Sequence, residues 1–227
     1  MTLLMNRLKA LAFVFFTFFG FISSPVNGQI NLKTGYNISF MSSPGLDDVI
    51  GVLNSANTYS SPFPNLKWMH GIEAGLRFKS DIHAIEVTYQ VGYQPLKAKG
   101  DPNDGTQAYT DVIRYNLHSA GIGYQASGPK FGLGADIQYQ WYRTHVEFER
   151  ADEVFKDVQN LVALKIYPML TLPGSKGIDV VLQPYVVFPF KAYDLTPLSQ
   201  HLGQGPNVTK DKWTRFGLSL MFYNGPK

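Results

Sequence analysis

Residues 131–141 read Phe-Gly-Leu-Gly-Ala-Asp-Ile-Gln-Tyr-Gln-Trp, an unbroken alternation. Phe131, Leu133, Ala135, Ile137, Tyr139 and Trp141 fall on one face of an extended chain, and Gly132, Gly134, Asp136, Gln138 and Gln140 on the other. A period of two is the pleat of a β-strand lying between two unlike environments. The pattern continues toward residue 148 and recurs near 30–41, 67–79, 82–96, 109–125, 158–172, 178–192 and 212–223. Eight strands with one apolar face each predict an all-β chain closed on itself, because an open sheet would leave pairing edges.

The connections predict how the strands are wound. Ser80-Asp81, 127–130 and 173–177 are short and rich in turn residues; 42–66, 97–108, 149–156 and 193–211 are longer. Short and long alternate, so an antiparallel up-and-down barrel gathers the short turns at one end and the long loops at the other. With an even number of strands, both chain ends lie on the short-turn side. Within the first long loop, 46–53 reads as a short helix. The fourth strand is the least regular. Ile113, Tyr115 and Leu117 keep one phase and Ala120, Ile122 and Tyr124 the other, which predicts a bulge near Ser119.

The first 28 residues read differently. Arg7 and Lys9 precede an apolar run over 11–22, and small residues at 26–28 mark a cleavage point before Gln29. This is the pattern of a secretory signal peptide, leaving 29–227 as one barrel domain. The formal charge of +3 falls by those two cations on its removal. The remaining chain has no basic block, so nucleic acid is not expected as a partner. Cysteine is absent, which rules out disulfides and thiolate metal sites.

The apolar face is expected to meet lipid. Charged residues are 16% of the chain, against about 25% in typical globular domains. The polar face carries Gly, Gln, Asn, Ser and Tyr rather than the dense Lys/Glu mixture of a solvated exterior. Aromatic residues gather toward strand ends on the apolar face: Trp68, Tyr93, Trp141, Phe188 and Phe190 toward the long loops, Phe78, Phe131 and Phe222 toward the short turns. Two such girdles are the signature of a membrane-spanning barrel. The result is an eight-stranded antiparallel up-and-down transmembrane β-barrel.

On these features the chain resembles the small eight-stranded outer-membrane barrels, the OmpA-transmembrane-like and OmpX-like group. The resemblance covers about 30–223 and rests on strand pattern and loop alternation. It implies residence in a bacterial outer membrane with both termini periplasmic, contact with outer-membrane lipid and lipopolysaccharide, and assembly by barrel-insertion machinery. Residues 215–223, Arg-Phe-Gly-Leu-Ser-Leu-Met-Phe-Tyr, are similar to the aromatic-ending insertion signal of such barrels, although Asn-Gly-Pro-Lys follows.

Eight strands leave an interior that side chains fill. The expected inward charges are Lys33, Glu73, Arg77, Glu86, Arg114, Asp136, Lys165, Asp179 and Arg215. Confined charges need partners, so these predict a structural network of ion pairs rather than an ion path. No cofactor, metal-ligand spacing or nucleophile motif is found. His118-Ser119 is the one adjacent His–Ser pair, and on a regular strand the two point to opposite faces. His70, His83, His145 and His201 have no companion motif. The leading expectation is a non-enzymatic outer-membrane protein whose loops 42–66 and 193–211 contact a surface ligand or protein partner. The alternatives are a lipid-modifying enzyme similar to lipid A deacylases, or a narrow channel or small secretion barrel.

Overall fold

The computed structural model describes residues 28–100, 108–149, 153–172, 177–202 and 210–224; the expected leader falls almost wholly outside them. Strands β1 (Gln29–Met41), β2 (Trp68–Ser80), β3 (His83–Gly100), β4 (Tyr109–Ser127), β5 (Phe131–Phe148), β6 (Glu153–Leu172), β7 (Ile178–Pro189) and β10 (Arg215–Asn224) form one closed barrel in the order β1-β10-β7-β6-β5-β4-β3-β2. All neighbours are antiparallel, and β1 pairs with β10 to close it. The long connections carry helices α1 (Pro44–Ala56) and α2 (Thr196–His201) and a small ladder of β8 (Tyr193–Asp194) with β9 (Lys210–Asp211).

Alternation sets the two faces as expected. Ile30, Leu32, Tyr36, Ile38 and Phe40 of β1 are exposed, while Asn31, Lys33, Asn37 and Ser39 are buried. The β2–β3 turn is a two-residue hairpin in which Asp81 has φ 53, a left-handed conformation that a short polar side chain tolerates. The β6–β7 pairing lapses between Ile166↔Val186 and Leu170↔Leu182, where Pro168 and Pro184 would face each other. Proline has no N–H to give a ladder, and placing both at one level confines the loss to one site.

Two expectations change. The β4 bulge is absent: Gln90↔Ser119 on one side and Ser119↔Gln140 on the other belong to ladders that run without a slip. The loop over 149–156 also contracts, because β5 and β6 pair out to Phe148↔Glu153. At the long-loop end the barrel therefore stands much taller on β3–β6 than elsewhere.

That tall end is filled. α1 buries Leu46, Val49, Ile50 and Leu53 in a cluster with Phe63, Leu66, Leu96, Ile113, Leu117, Tyr142, Val146 and Leu161. Trp213 stacks on Tyr193 at 3.9 Å between ring centroids and meets Tyr142 edge-on at 5.2 Å. The N-terminus of α1 is fixed by Asp211, whose Oδ2 accepts the N–H groups of Gly45 at 3.0 Å and Leu46 at 3.3 Å. Such a carboxylate satisfies orphan donors and complements the helix dipole. Asn54 and Phe63 exchange two hydrogen bonds, at 3.0 and 2.9 Å. The Tyr59 hydroxyl donates to Asp111 at 2.8 Å; burial, then this bond, pushes its phenol up. The segment 42–66 is thus a cap seated in the barrel mouth.

Leu46→Ala removes a fully buried anchor of the cap and should lower the unfolding free energy by about 2–5 kcal/mol, read by urea titration in micelles. An unchanged midpoint would show that α1 contributes no packing.

Candidate functional site

Below the cap the lumen is polar, and β1, β2, β3, β5 and β6 each place a charge in it. The Lys33 ammonium lies 2.9 Å from Glu73 and 2.9 Å from Glu86, and the Lys165 ammonium 2.9 Å from the other Glu73 oxygen. Glu73 thus bridges two lysines. The Tyr167 hydroxyl lies 2.9 Å from Asp136 Oδ1 and close against Glu86 Oε1. Gln125 donates to Glu86 and to the Tyr167 hydroxyl. All of these side chains are buried. A buried charge left alone would cost several kcal/mol, so each is held by an opposite charge or a hydrogen bond.

Toward the short-turn end, Arg77 donates from Nε and Nη2 to Asn31 Oδ1 at 3.2 and 3.0 Å. Its guanidinium lies 4.1 Å from the centre of the Tyr223 ring, a favourable cation–π distance. Gln183 donates to the Tyr223 hydroxyl at 2.8 Å. A cavity of about 500 Å³ opens here, lined by Arg77, Lys79, Asn31, Asp179 and Tyr223 among others. Asp179 is therefore at the mouth of the lumen rather than in its sealed part. Toward the cap, Arg215 is fully buried 5.9 Å from the Tyr142 ring centre. None of its guanidinium nitrogens has a hydrogen-bond partner among the described residues.

Arg114 is a correction. It lies on the outer face, half-exposed, with Nη1 2.6 Å from Glu147 Oε1. Because β4 keeps its register, odd-numbered residues point inward throughout, and above the lumen the inward positions are the apolar Ile113, Tyr115 and Leu117. Tyr167, Gln125 and Gln183 are network members that a reading limited to charges omits. Their signal was their phase, the same as that of the charged residues.

The histidines are dispersed. His118 faces outward with Nδ1 2.8 Å from the Tyr89 hydroxyl, while Ser119 points into the lumen, so the two cannot act together. His70 lies among the rings of Tyr36, Trp68 and Tyr93. His83 bonds to Tyr124, His145 lies 3.3 Å from Glu147, and His201 stacks on Phe155. No group of three or more His, Asp or Glu that could hold a metal ion occurs among the described residues.

The outer face carries a continuous apolar belt between the two girdles, with no Asp, Glu, Lys or Arg pointing outward within it among the described residues. Phe40 stacks on Phe216 at 5.5 Å across the closing seam. No family model and no curated protein sequence matches the chain. Solved structures do. Ail, the attachment invasion locus protein of Yersinia pestis, in complex with the heparin analogue sucrose octasulfate, aligns with TM-score 0.53 at 8% identity, covering 86% of this chain and 98% of that one. Neisserial surface protein A aligns with TM-score 0.44 at 9% identity over 86% and 96% of the two chains. The outer membrane protease OmpT of Escherichia coli aligns with TM-score 0.41 at 9% identity over 88% and 96%. The fold is that of the small outer-membrane barrels.

Glu73→Gln strips two lysines of their shared carboxylate and should destabilise the barrel by about 3–5 kcal/mol, more than loss of either lysine. Adding Lys165→Met should restore part of that loss in a double-mutant cycle of unfolding free energies. Additive costs would show that the pair is not coupled.

Proposed function

We propose that the chain is a non-enzymatic integral protein of a bacterial outer membrane that presents a rigid external cap for surface recognition. In this reading the segment 1–28 directs export and is removed, and both termini lie in the periplasm. The observation that carries it is the combination of a charge-free aromatic-edged belt outside with a lumen filled by paired charges and capped by packed aromatic residues. Such a belt has the length and composition that a bilayer core demands, and closing the sheet leaves no backbone group unpaired in lipid. A lumen occupied by a salt-bridge network supports a structural rather than a conducting role.

The cap reassigns the expected recognition loops. Segment 42–66 spends its apolar side on the barrel, so contact with a partner falls to its outward residues and to the neighbouring loop ends. The Ail structure holds a heparin analogue, sucrose octasulfate, and the exposed polar residues of the cap, Asn57, Thr58 and Ser60 among them, suit a glycan or protein partner of that general kind. The outward His118, hydrogen-bonded to Tyr89 in the belt, supports no hydrolytic role.

The native chain has no cysteine, so single cysteines report sidedness cleanly. Ser60→Cys, in the exposed cap, should react with a membrane-impermeant maleimide on intact cells, and Lys130→Cys, in a short turn, only after lysis. Reversed labelling would overturn the orientation, and labelling of neither in a membrane fraction would overturn the residence.

A further inference from the structure

The cap fills one end of the barrel, and the other end stays open. The cavity of about 500 Å³ lies there, inside the short-turn mouth. Its wall carries two cations, Arg77 and Lys79 of β2, and two carboxylates, Asp81 of the β2–β3 turn and Asp179 of β7. None of these four makes an ion pair among the described residues. Higher in the bore, Lys33 and Lys165 are each matched by a carboxylate at 2.9 Å. At the mouth the opposite charges are instead held apart across Tyr223. Arg77 lies over the Tyr223 ring, and Asp179 is the ladder partner of Tyr223 on the far side.

Two features mark this cavity as a binding site rather than an idle vestibule. Arg77 is only 8% exposed, yet its Nε and Nη2 are both spent on one neutral acceptor, Asn31 Oδ1. Its ladder partner Glu86 is already taken by Lys33. A buried guanidinium without a carboxylate is costly, and an anion entering the cavity would supply one. The Ser127 hydroxyl, also in the wall, is buried without a hydrogen-bond partner among the described residues. Such a group gains from any ligand that can bond to it.

The arrangement of charge selects the ligand. Two cations and two carboxylates sum to zero, so a phosphate would be opposed by Asp81 and Asp179, and a metal ion by Arg77 and Lys79. A molecule with a carboxylate at one end and an ammonium at the other satisfies both sides. β2 and β7 are three places apart round the barrel, about 14 Å along the sheet at ~4.8 Å for each strand, and less between side chains that lean inward. Two or three extended residues span about 7–11 Å. We infer that the short-turn mouth is a binding site for a zwitterionic peptide of two or three residues. Arg77 takes its carboxylate with Lys79 alongside, Asp179 takes its ammonium, and the hydroxyls of Ser127 and Thr171 meet its peptide groups. The site lies at the end opposite the cap and is independent of what the cap recognises.

The test is calorimetric titration of the full mature chain, in neutral maltoside micelles near neutral pH, with trialanine, N-acetyl-trialanine and trialanine amide. Trialanine should give a saturable heat, and blocking either end should weaken binding roughly tenfold. Asp179→Asn and Lys79→Gln remove charges that hold no part of the barrel together, so both variants should fold as the native chain does, checked by heat-modifiable migration. Asp179→Asn should bind trialanine roughly tenfold more weakly and no longer distinguish it from the N-acetyl form. Lys79→Gln should narrow the preference for the free acid over the amide. Lys156→Gln, at the capped end, should behave as the native chain. No saturable heat with trialanine would overturn the site. Equal binding of the N-acetyl form by the native chain, or full discrimination retained by Asp179→Asn, would overturn the zwitterion assignment. The same heat from inorganic phosphate would reduce the mouth to a general anion site and overturn it as well.

Discussion

The pairing of β1 with β10 is the constraint on which the remaining structure depends. Ten consecutive partners, from Leu32↔Asn224 to Met41↔Arg215, join the first strand to the last. Without that seam two strand edges would be bare, and in hydrocarbon every unpaired amide costs several kcal/mol. Closure fixes the strand number, and the strand number fixes the bore. Eight strands give a bore that side chains can fill but not vacate. Every inward residue is thereby committed to a confined space, and the lumen needs either charge pairing or apolar packing along its whole length.

The protein uses both, one above the other. In the half nearer the short turns, Lys33, Glu73, Glu86 and Lys165 interlock with Tyr167, Asp136 and Gln125. In the half nearer the long loops, α1, Trp213 and Tyr193 press apolar surface into the mouth. The division follows from what each half is surrounded by. In the belt, the outer face must be apolar, and polar residues inside give the alternation that sets register. Above the girdle the wall stands clear of the apolar belt, and the apolar residues inside it are stabilised by burial, at about 1.5–3 kcal/mol for each large side chain.

This exchange of faces explains what was legible in the sequence and what was not. The strands, their outward phase and the belt aromatics were legible because one rule, apolar outward, holds from Ile30 to Phe40 and from Phe131 to Trp141. The short helix in 42–66 was legible from its own pattern, but its seat in the barrel was not. Ile113, Tyr115 and Leu117 are apolar and inward, whereas Ala120, Ile122 and Tyr124 are apolar and outward. A rule calibrated on the belt reads that reversal as a slip of register, hence the bulge at Ser119 and the inward placement of Arg114. The chain kept its register, and the surroundings changed instead. Asp179 shows the converse limit: its phase was right, but phase does not say how far along the bore a residue lies.

Arg215 sits at the boundary between the two halves. The buried lumen holds Lys33, Arg77, Lys165 and Arg215 against Glu73, Glu86 and Asp136, one cation more than its carboxylates. The surplus is placed where the polar network ends. Arg215 is paired across the ladders with Met41 and Val187 and has the Tyr142 face at 5.9 Å, at the outer limit of useful cation–π range. A guanidinium tolerates this position better than an ammonium, since it is more weakly hydrated and can stack on rings. Arg77 is matched in the same way at the other end, over Tyr223. Both ends of the ion-pair network are thus closed by an arginine against a tyrosine, which lets the charged interior pass into open solvent below and into the apolar cap above.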